Sequence, residues 1–208
     1  MTRDFYFNFP GYLFQRGVEV LRTSYTEGNV SLLKKVEALQ SELTAYREDT
    51  EFIGERDEEG HLIWEQDQLL ELDIEAAEDA IQEFRKAFVL AIYHHWERSI
   101  RRYTGVTTTG HGHVVAGAKA EGLSISSDLR LLQVLSNTLK HDTDQWASEL
   151  FRLWPEVFGS RYPAYRGNDF YSFIRIGDRD IEFLLDIVSA SGPDDKTRKR
   201  QGTVTLRP

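Results

Sequence analysis

The chain of 208 residues is 40% hydrophobic and 28% charged, and its formal net charge is −9. This is the composition of a folded globular domain, and it excludes a disordered chain. The absence of cysteine excludes disulfides, thiolate nucleophiles and cysteine-based zinc sites. The first ten residues contain no basic region followed by an apolar run, so we expect no signal peptide, and no apolar run approaches the roughly 18 residues of a membrane span. We therefore expect a cytoplasmic protein.

Charge is unevenly distributed along the chain. Residues 48–83 contain fifteen acidic residues and one basic residue, Arg56. Basic residues cluster in two later places, which are Arg98, Arg101 and Arg102, and then Lys196, Arg198, Lys199 and Arg200. Such local basic groups can bind phosphate even in an acidic protein, although a solvated surface is the more common explanation.

The first fifty residues predict two helices. Phe9–Gly11 indicates a turn, and a short helix follows over about Tyr12–Arg22. The segment Glu27–Asn29 is expected to end it, because glycine disfavours the helix and asparagine caps the next one. That second helix covers about Val30–Asp49, where apolar residues recur at three- and four-residue spacing.

Residues 50–70 predict a small β-hairpin. Two short apolar runs, Glu51–Gly54 and His61–Trp64, flank a polar connection that ends in Gly60. Because an isolated hairpin is only marginally stable, this one must pack on a helix.

The clearest predicted element is a long helix over about Ile74–Tyr103. Its acidic first third and its basic end both suit the helix dipole. After it we expect a polar loop over Thr104–Ser124 with a short helix near Val114–Glu121. Three further helices are predicted over about Asp128–His141, Asp144–Trp154 and Asp180–Ser189. The first of these three has Leu129, Leu132, Leu135 and Leu139 on its core face.

These elements predict an all-α fold in three parts. An N-terminal helical extension with the acidic hairpin covers residues 1–73, a helical bundle covers residues 74–190, and a disordered basic tail covers residues 191–208.

The segment Leu131–Asp142 contains the most informative pattern. Asn137 and His141 lie four residues apart, so they share one face of the predicted helix beside its leucine stripe. The dipole at the helix end favours a cationic imidazole. His141 is either a functional group at this position or a residue that caps the last carbonyl groups of the helix.

This segment resembles the signature helix of the HEPN superfamily, small helical domains that include many RNase toxins and abortive-infection proteins. The family hallmark is an arginine, four to six further residues and a histidine, often with a polar residue directly after the arginine. Asn137 matches the polar residue and His141 the histidine, while Ser136 occupies the arginine position. Phe88–Arg102 resembles the preceding helix of the family, so the resemblance covers about residues 75–190.

The resemblance implies a HEPN-like bundle whose RNase members need no metal or cofactor. His141 would be the general acid or base, and Arg98 or Arg102 would replace the missing arginine in stabilising a scissile phosphate. Family sites commonly form between two copies, which implies a homodimer. The residues implied as catalytic are His141, Asn137, Glu97 and Arg98, and those implied as RNA-binding are Arg101, Arg102 and Lys140.

Two further groups of residues leave alternatives open. Glu97 either supports His141 across the two helices or forms an ordinary surface pair with Arg101, four residues on. His111 and His113 match no zinc motif, so we expect a flexible polar loop there and no metal site.

Three functions remain open from the sequence. The first is a HEPN-like domain of bacterial defence or toxin–antitoxin type that dimerises or binds a partner without catalysis. The second is a metal-independent endoribonuclease using His141, and the third is an acidic surface over residues 48–83 that docks a basic partner or mimics nucleic-acid charge. Serine hydrolases and phosphate-loop enzymes are excluded, because their glycine motifs are absent.

Overall fold

A computed structural model describes residues 7–49, 51–108, 110–161 and 169–198. These residues form six α-helices and one antiparallel hairpin: α1 (Phe9–Glu48), β1 (Gly54–Arg56), β2 (Leu62–Glu65), α2 (Gln66–Thr104), α3 (His111–Ala120), α4 (Leu129–His141), α5 (Asp144–Leu153) and α6 (Asp178–Ala190). Two 3₁₀ turns, Pro155–Arg161 and Tyr171–Phe173, connect α5 to α6. The predicted all-α fold with a small hairpin is confirmed. None of the described helices combines the length and apolar character that a membrane crossing requires.

The chain divides into two units. The hairpin unit is residues 24–85, and the bundle unit is formed by the residues before and after it. Both α1 and α2 contribute to each unit. The domain boundaries predicted after residues 73 and 190 stay predictions.

Helix α1 is continuous, so the turn predicted at Phe9–Gly11 and the helix break predicted at Glu27–Asn29 are wrong. Pro10 is tolerated because it lies in the first turn, where its missing N–H has no helical partner. Gly28 is helical because the ring of Phe84 packs directly on it, so that an added Cβ would lie 2.5 Å from the ring carbon Cζ. Close packing thus compensates for the poor helix propensity of glycine.

Inside the hairpin unit, the segments of α1 and α2 are antiparallel. The rings of Tyr25 and Phe84 stack with centroids 5.8 Å apart, and Arg47 pairs with Glu71 near the other end. The hairpin packs on α1 as expected, because the Tyr46 hydroxyl accepts a hydrogen bond from the Ile53 N–H at 3.1 Å.

Helix α4 lies inside the bundle unit. It packs against α5 and α6, and eight of its residues are buried. The four predicted core leucines are confirmed among them: Leu129, Leu132, Leu135 and Leu139. The exposed residues of its last turn are Lys140 and His141.

The segment after α6 packs against the bundle unit. The indole Nε1 of Trp96 donates to the carbonyl oxygen of Ser191 at 2.9 Å, and the amide of Gln15 donates to the carbonyl oxygen of Pro193 at 3.2 Å. Residues 191–198 therefore differ from the disordered tail that we expected, because their backbone satisfies polar groups of α1 and α2. The rest of that predicted tail, residues 199–208, lies outside the described residues.

Two glycine-to-alanine substitutions should change stability in opposite directions. At Gly11, an added Cβ would overlap the backbone carbonyl of Asp194, whereas at Gly112 in α3 nothing lies within 4 Å. We expect Gly11→Ala to lower the free energy of unfolding by about 1–3 kcal/mol through overpacking. Gly112→Ala should raise it by about 0.5–1 kcal/mol through helix propensity. Denaturant unfolding measures both, and a stabilising Gly11→Ala would contradict the close contact.

Candidate functional site

His141 is the last residue of α4, and its side chain is exposed. Within the described part of the chain, no residue makes a hydrogen bond or ion pair with its imidazole. The helix ends because Asp142 adopts a left-handed conformation, with φ 46°, from which its N–H donates to the carbonyl of Thr138 at 3.0 Å. The backbone of Asp142, rather than the His141 side chain, therefore caps the helix. The imidazole is available to a ligand.

Ser136, which stands at the arginine position of the HEPN motif, lies in the core. Ser136 is fully buried, and its hydroxyl has no hydrogen-bond partner among the described residues. Asn137, the next residue, is half-buried. An accessible cation cannot be provided from position 136, because a guanidinium there would have to be buried at a high desolvation cost.

The three predicted arginines of α2 do not share one environment. Arg101 donates to the carbonyl oxygens of Val106 at 3.5 Å and Thr107 at 3.0 Å, in the loop that follows α2. Arg98 and Arg102 both line a groove beside the start of α1. Within the described residues, Glu97 and Arg101 do not form the surface ion pair that the sequence left open.

Two of the predicted site residues, Glu97 and Lys140, lie on the same face of the bundle unit around Tyr93 and His94. The Lys140 ammonium nitrogen lies 5.4 Å from the ring centroid of Tyr93, and a Glu97 carboxylate oxygen lies 3.9 Å from Nδ1 of His94. Burial and the nearby Lys140 lower the pKa of His94, against the opposing charge of Glu97. This face therefore carries charges of both signs beside the buried ring of Tyr93.

A partly buried pair that the sequence did not indicate lies on the same side of α2. The hydroxyl of Tyr93 is 3.2 Å from Nδ1 of His111, whose ring also lies 5.4 Å from that of Trp96. Burial, helped by the charge of Arg130, lowers the pKa of His111 to about 4, while burial and then Glu97 raise the pKa of Tyr93. Both side chains are therefore uncharged near neutral pH.

His111 is the first residue of α3, so the flexible loop expected at residues 111–113 is wrong. The chain reaches this point through Gly110, whose φ of 118° is open to glycine and strained for other residues. The spacing of Tyr93 and His111 in the sequence does not predict that they are in contact. Gly110 is the one local feature that indicates a sharp turn before His111.

The groove that receives Arg98 and Arg102 is lined largely by rings. Its volume is about 690 Å³, and we call it the ring groove. Its lining includes Phe7, Phe9, Phe14, His95, Arg98 and Arg102. His95 is fixed there by a 3.0 Å hydrogen bond from Nε2 to the carbonyl oxygen of Phe14. It stacks on the Phe14 ring with centroids 5.2 Å apart. Burial lowers the pKa of His95, so the imidazole is neutral near pH 7.

Comparisons with protein-family models, with curated proteins and with solved structures found no match.

One group of possible metal ligands lies together in the described residues, at the turn of the hairpin. Asp57, Glu59 and His61 bring one ligand atom each within 4.8 Å of the others, and all three are exposed. Asp57 Oδ1 accepts the backbone N–H groups of Glu59 and His61, at 2.9 and 2.8 Å. These turn hydrogen bonds explain why the three side chains are close.

The environment of His111 predicts a strongly depressed imidazole pKa. Because its pKa in the fold is about 4 and that of an unfolded histidine about 6.5, His111 contributes stability that is complete above pH 6.5. That contribution is lost as the pH falls from 6.5 towards 4. A two-dimensional NMR titration should find the His111 imidazole still neutral at pH 5, and a midpoint near 6.5 would contradict the buried pair.

The matched variant is His111→Asn, which keeps a polar group near Nδ1 but cannot titrate. Its free energy of unfolding should decrease less between pH 6.5 and pH 4 than that of the wild type. Equal decreases in the two proteins would show that His111 contributes nothing to the acid sensitivity.

Proposed function

We propose that this protein is a HEPN-like helical domain of bacterial defence or toxin–antitoxin type that acts by dimerisation or partner binding and does not cleave RNA. The observation that carries the proposal is the placement of Ser136, at the arginine position of the motif, and of two arginines that could replace the missing cation. Ser136 is buried, Arg101 is bonded to loop carbonyls, and Arg98 lines the ring groove.

RNA cleavage without a metal needs two functions at one phosphate. A general acid or base must move the proton, and a fixed cation must stabilise the charge that develops in the transition state. His141 is exposed and can supply the first. The cation is what the motif lacks, which supports a binding role.

The second candidate is a metal-independent endoribonuclease, and one observation favours it. The His141 imidazole is exposed without a partner among the described residues, and the exposed Lys140 precedes it. A ligand phosphate that reached both side chains would meet a titratable group and a cation.

RNA cleavage in EDTA separates these two candidates. We expect no cleavage of single-stranded or structured RNA by the wild type above that of His141→Ala, because serine stands at the arginine position of the motif. His113→Ala is the matched control, since it removes another exposed histidine of the bundle unit. Cleavage that is lost in His141→Ala and kept in His113→Ala would establish the endoribonuclease and overturn the proposal.

The hairpin unit supports an interaction role. It exposes large apolar side chains near the hairpin and at the start of α2, which are Phe52, Ile53, Leu62, Ile63, Leu69 and Leu72. Exposed apolar side chains that cluster on a surface are typical of protein interfaces. Acidic residues are interspersed with them throughout residues 48–83, so two copies of this surface repel each other unless salt screens them.

Sedimentation velocity at low and high salt tests the homodimer. We expect a dimer whose fraction rises between about 50 mM and 500 mM NaCl, because screening weakens the repulsion of the acidic surfaces. Ile63→Ser should weaken the dimer, and Val20→Ser, an equally exposed site in the bundle unit, should not. A chain that stays monomeric at both salt concentrations would contradict dimerisation.

A further inference from the structure

The ring groove contains two cations on one helix face that have no acidic partner in the part of the chain that the structure describes. Arg98 and Arg102 are one turn apart on α2, both are exposed, and both line the groove. No carboxylate within the described ranges forms an ion pair or hydrogen bond with either guanidinium. This is unusual in a chain with 34 acidic and 25 basic residues. Two adjacent guanidinium groups without a described acidic partner favour an anion, and their planar donors match the oxygens of a phosphate or a carboxylate group.

The same groove carries exposed rings. Phe7 is 45% exposed and Phe9 is 60% exposed, and their centroids lie 6.5 Å apart. The ring of Tyr12 completes this exposed group, 5.7 Å from Phe7. Below them, Phe14 and His95 stack nearly parallel, with an interplanar angle of 16°. Rings that remain exposed beside a groove provide a stacking surface for a flat ligand.

We propose that the ring groove binds a free mononucleotide, with its base against the phenylalanine rings and its phosphate at Arg98 and Arg102. This proposal does not rest on the function proposed above, since it uses neither His141 nor self-association.

The size and chemistry of the groove favour this ligand over other anions. A volume of about 690 Å³ lies within the roughly 300–1,000 Å³ that is usual for small-ligand sites. A fatty acid would require an aliphatic lining, whereas most of the apolar side chains in this lining are aromatic. An inorganic anion would use the two arginines and leave the rings exposed. Stacking on rings combined with arginine contacts is the general chemistry of nucleotide binding without base-specific hydrogen bonds.

Isothermal titration of the full chain with four probes tests both halves of the proposed site. The probes are AMP, adenosine, ribose 5-phosphate and a hexameric oligoadenylate. We expect AMP to bind at least about tenfold more tightly than adenosine or ribose 5-phosphate, because each of these lacks one of the two contacts. Equal binding of AMP and ribose 5-phosphate would reduce the site to an anion site and overturn the proposal.

Three variants locate the binding. Arg98→Gln with Arg102→Gln should weaken AMP binding about tenfold or more, and Phe9→Ala should weaken it about fivefold or more. Arg152→Gln is the matched control, because it removes an exposed arginine of α5 outside the groove, and it should leave the affinity unchanged. Circular dichroism melting checks that each variant is folded.

Three further outcomes would overturn the proposal or change the ligand. Absence of AMP binding at millimolar concentration overturns it, as does binding that both arginine substitutions leave unchanged. A hexameric oligoadenylate that binds far more tightly than AMP, with the same dependence on Arg98 and Arg102, would replace the free nucleotide with single-stranded RNA as the ligand.

Discussion

The indole of Trp96 is the contact on which the arrangement of the bundle unit depends. It is fully buried on α2, and its Nε1 donates to the carbonyl oxygen of Ser191 in the segment after α6. Its ring also packs against His111, the first residue of α3. Ser191 in turn accepts a hydrogen bond through its hydroxyl from the N–H of Ser126, at 3.0 Å, in the connection before α4. One large aromatic group thus links four parts of the chain, and a tryptophan buried with its N–H satisfied contributes strongly to stability.

The separation of the candidate groups follows from how α2 packs. Consecutive residues on a helix project about 100° apart, so neighbouring side chains of α2 reach different neighbours. Tyr93 and Glu97 lie on the side that receives His111 and Lys140, whereas His95 and Arg98 lie on the side of the ring groove. The helix therefore carries two polar surfaces with different chemistry. One combines a neutral, partly buried pair with a charged rim, and the other combines exposed rings with two arginines that lack an acidic partner among the described residues.

Packing also explains where interpretation of local sequence failed. Gly11 and Gly28 are turn and break signals in the local sequence, yet each lies where another group approaches the helix too closely for a side chain. The polar run that contains His111 and His113 resembled a loop, but burial of His111 against Tyr93 starts a helix there. In each case a local propensity of about 1 kcal/mol was outweighed by tertiary contacts that no spacing along the chain reveals. The leucines of α4 were predicted correctly, because a strong helical period leaves only one face to bury.

The sequence by itself determined the helical class, the small hairpin and the buried stripe of α4, because periodicity and turn residues act over a few neighbouring positions. Only the tertiary structure decided which polar groups meet. Tyr93 meets His111, and Arg98 and Arg102 meet rings from the start of the chain, although these residues are distant in sequence. Ser136 is buried because of the elements that pack around it. Such contacts depend on how helices rotate and pack against one another, and that rotation is fixed by the complete set of side chains at each interface.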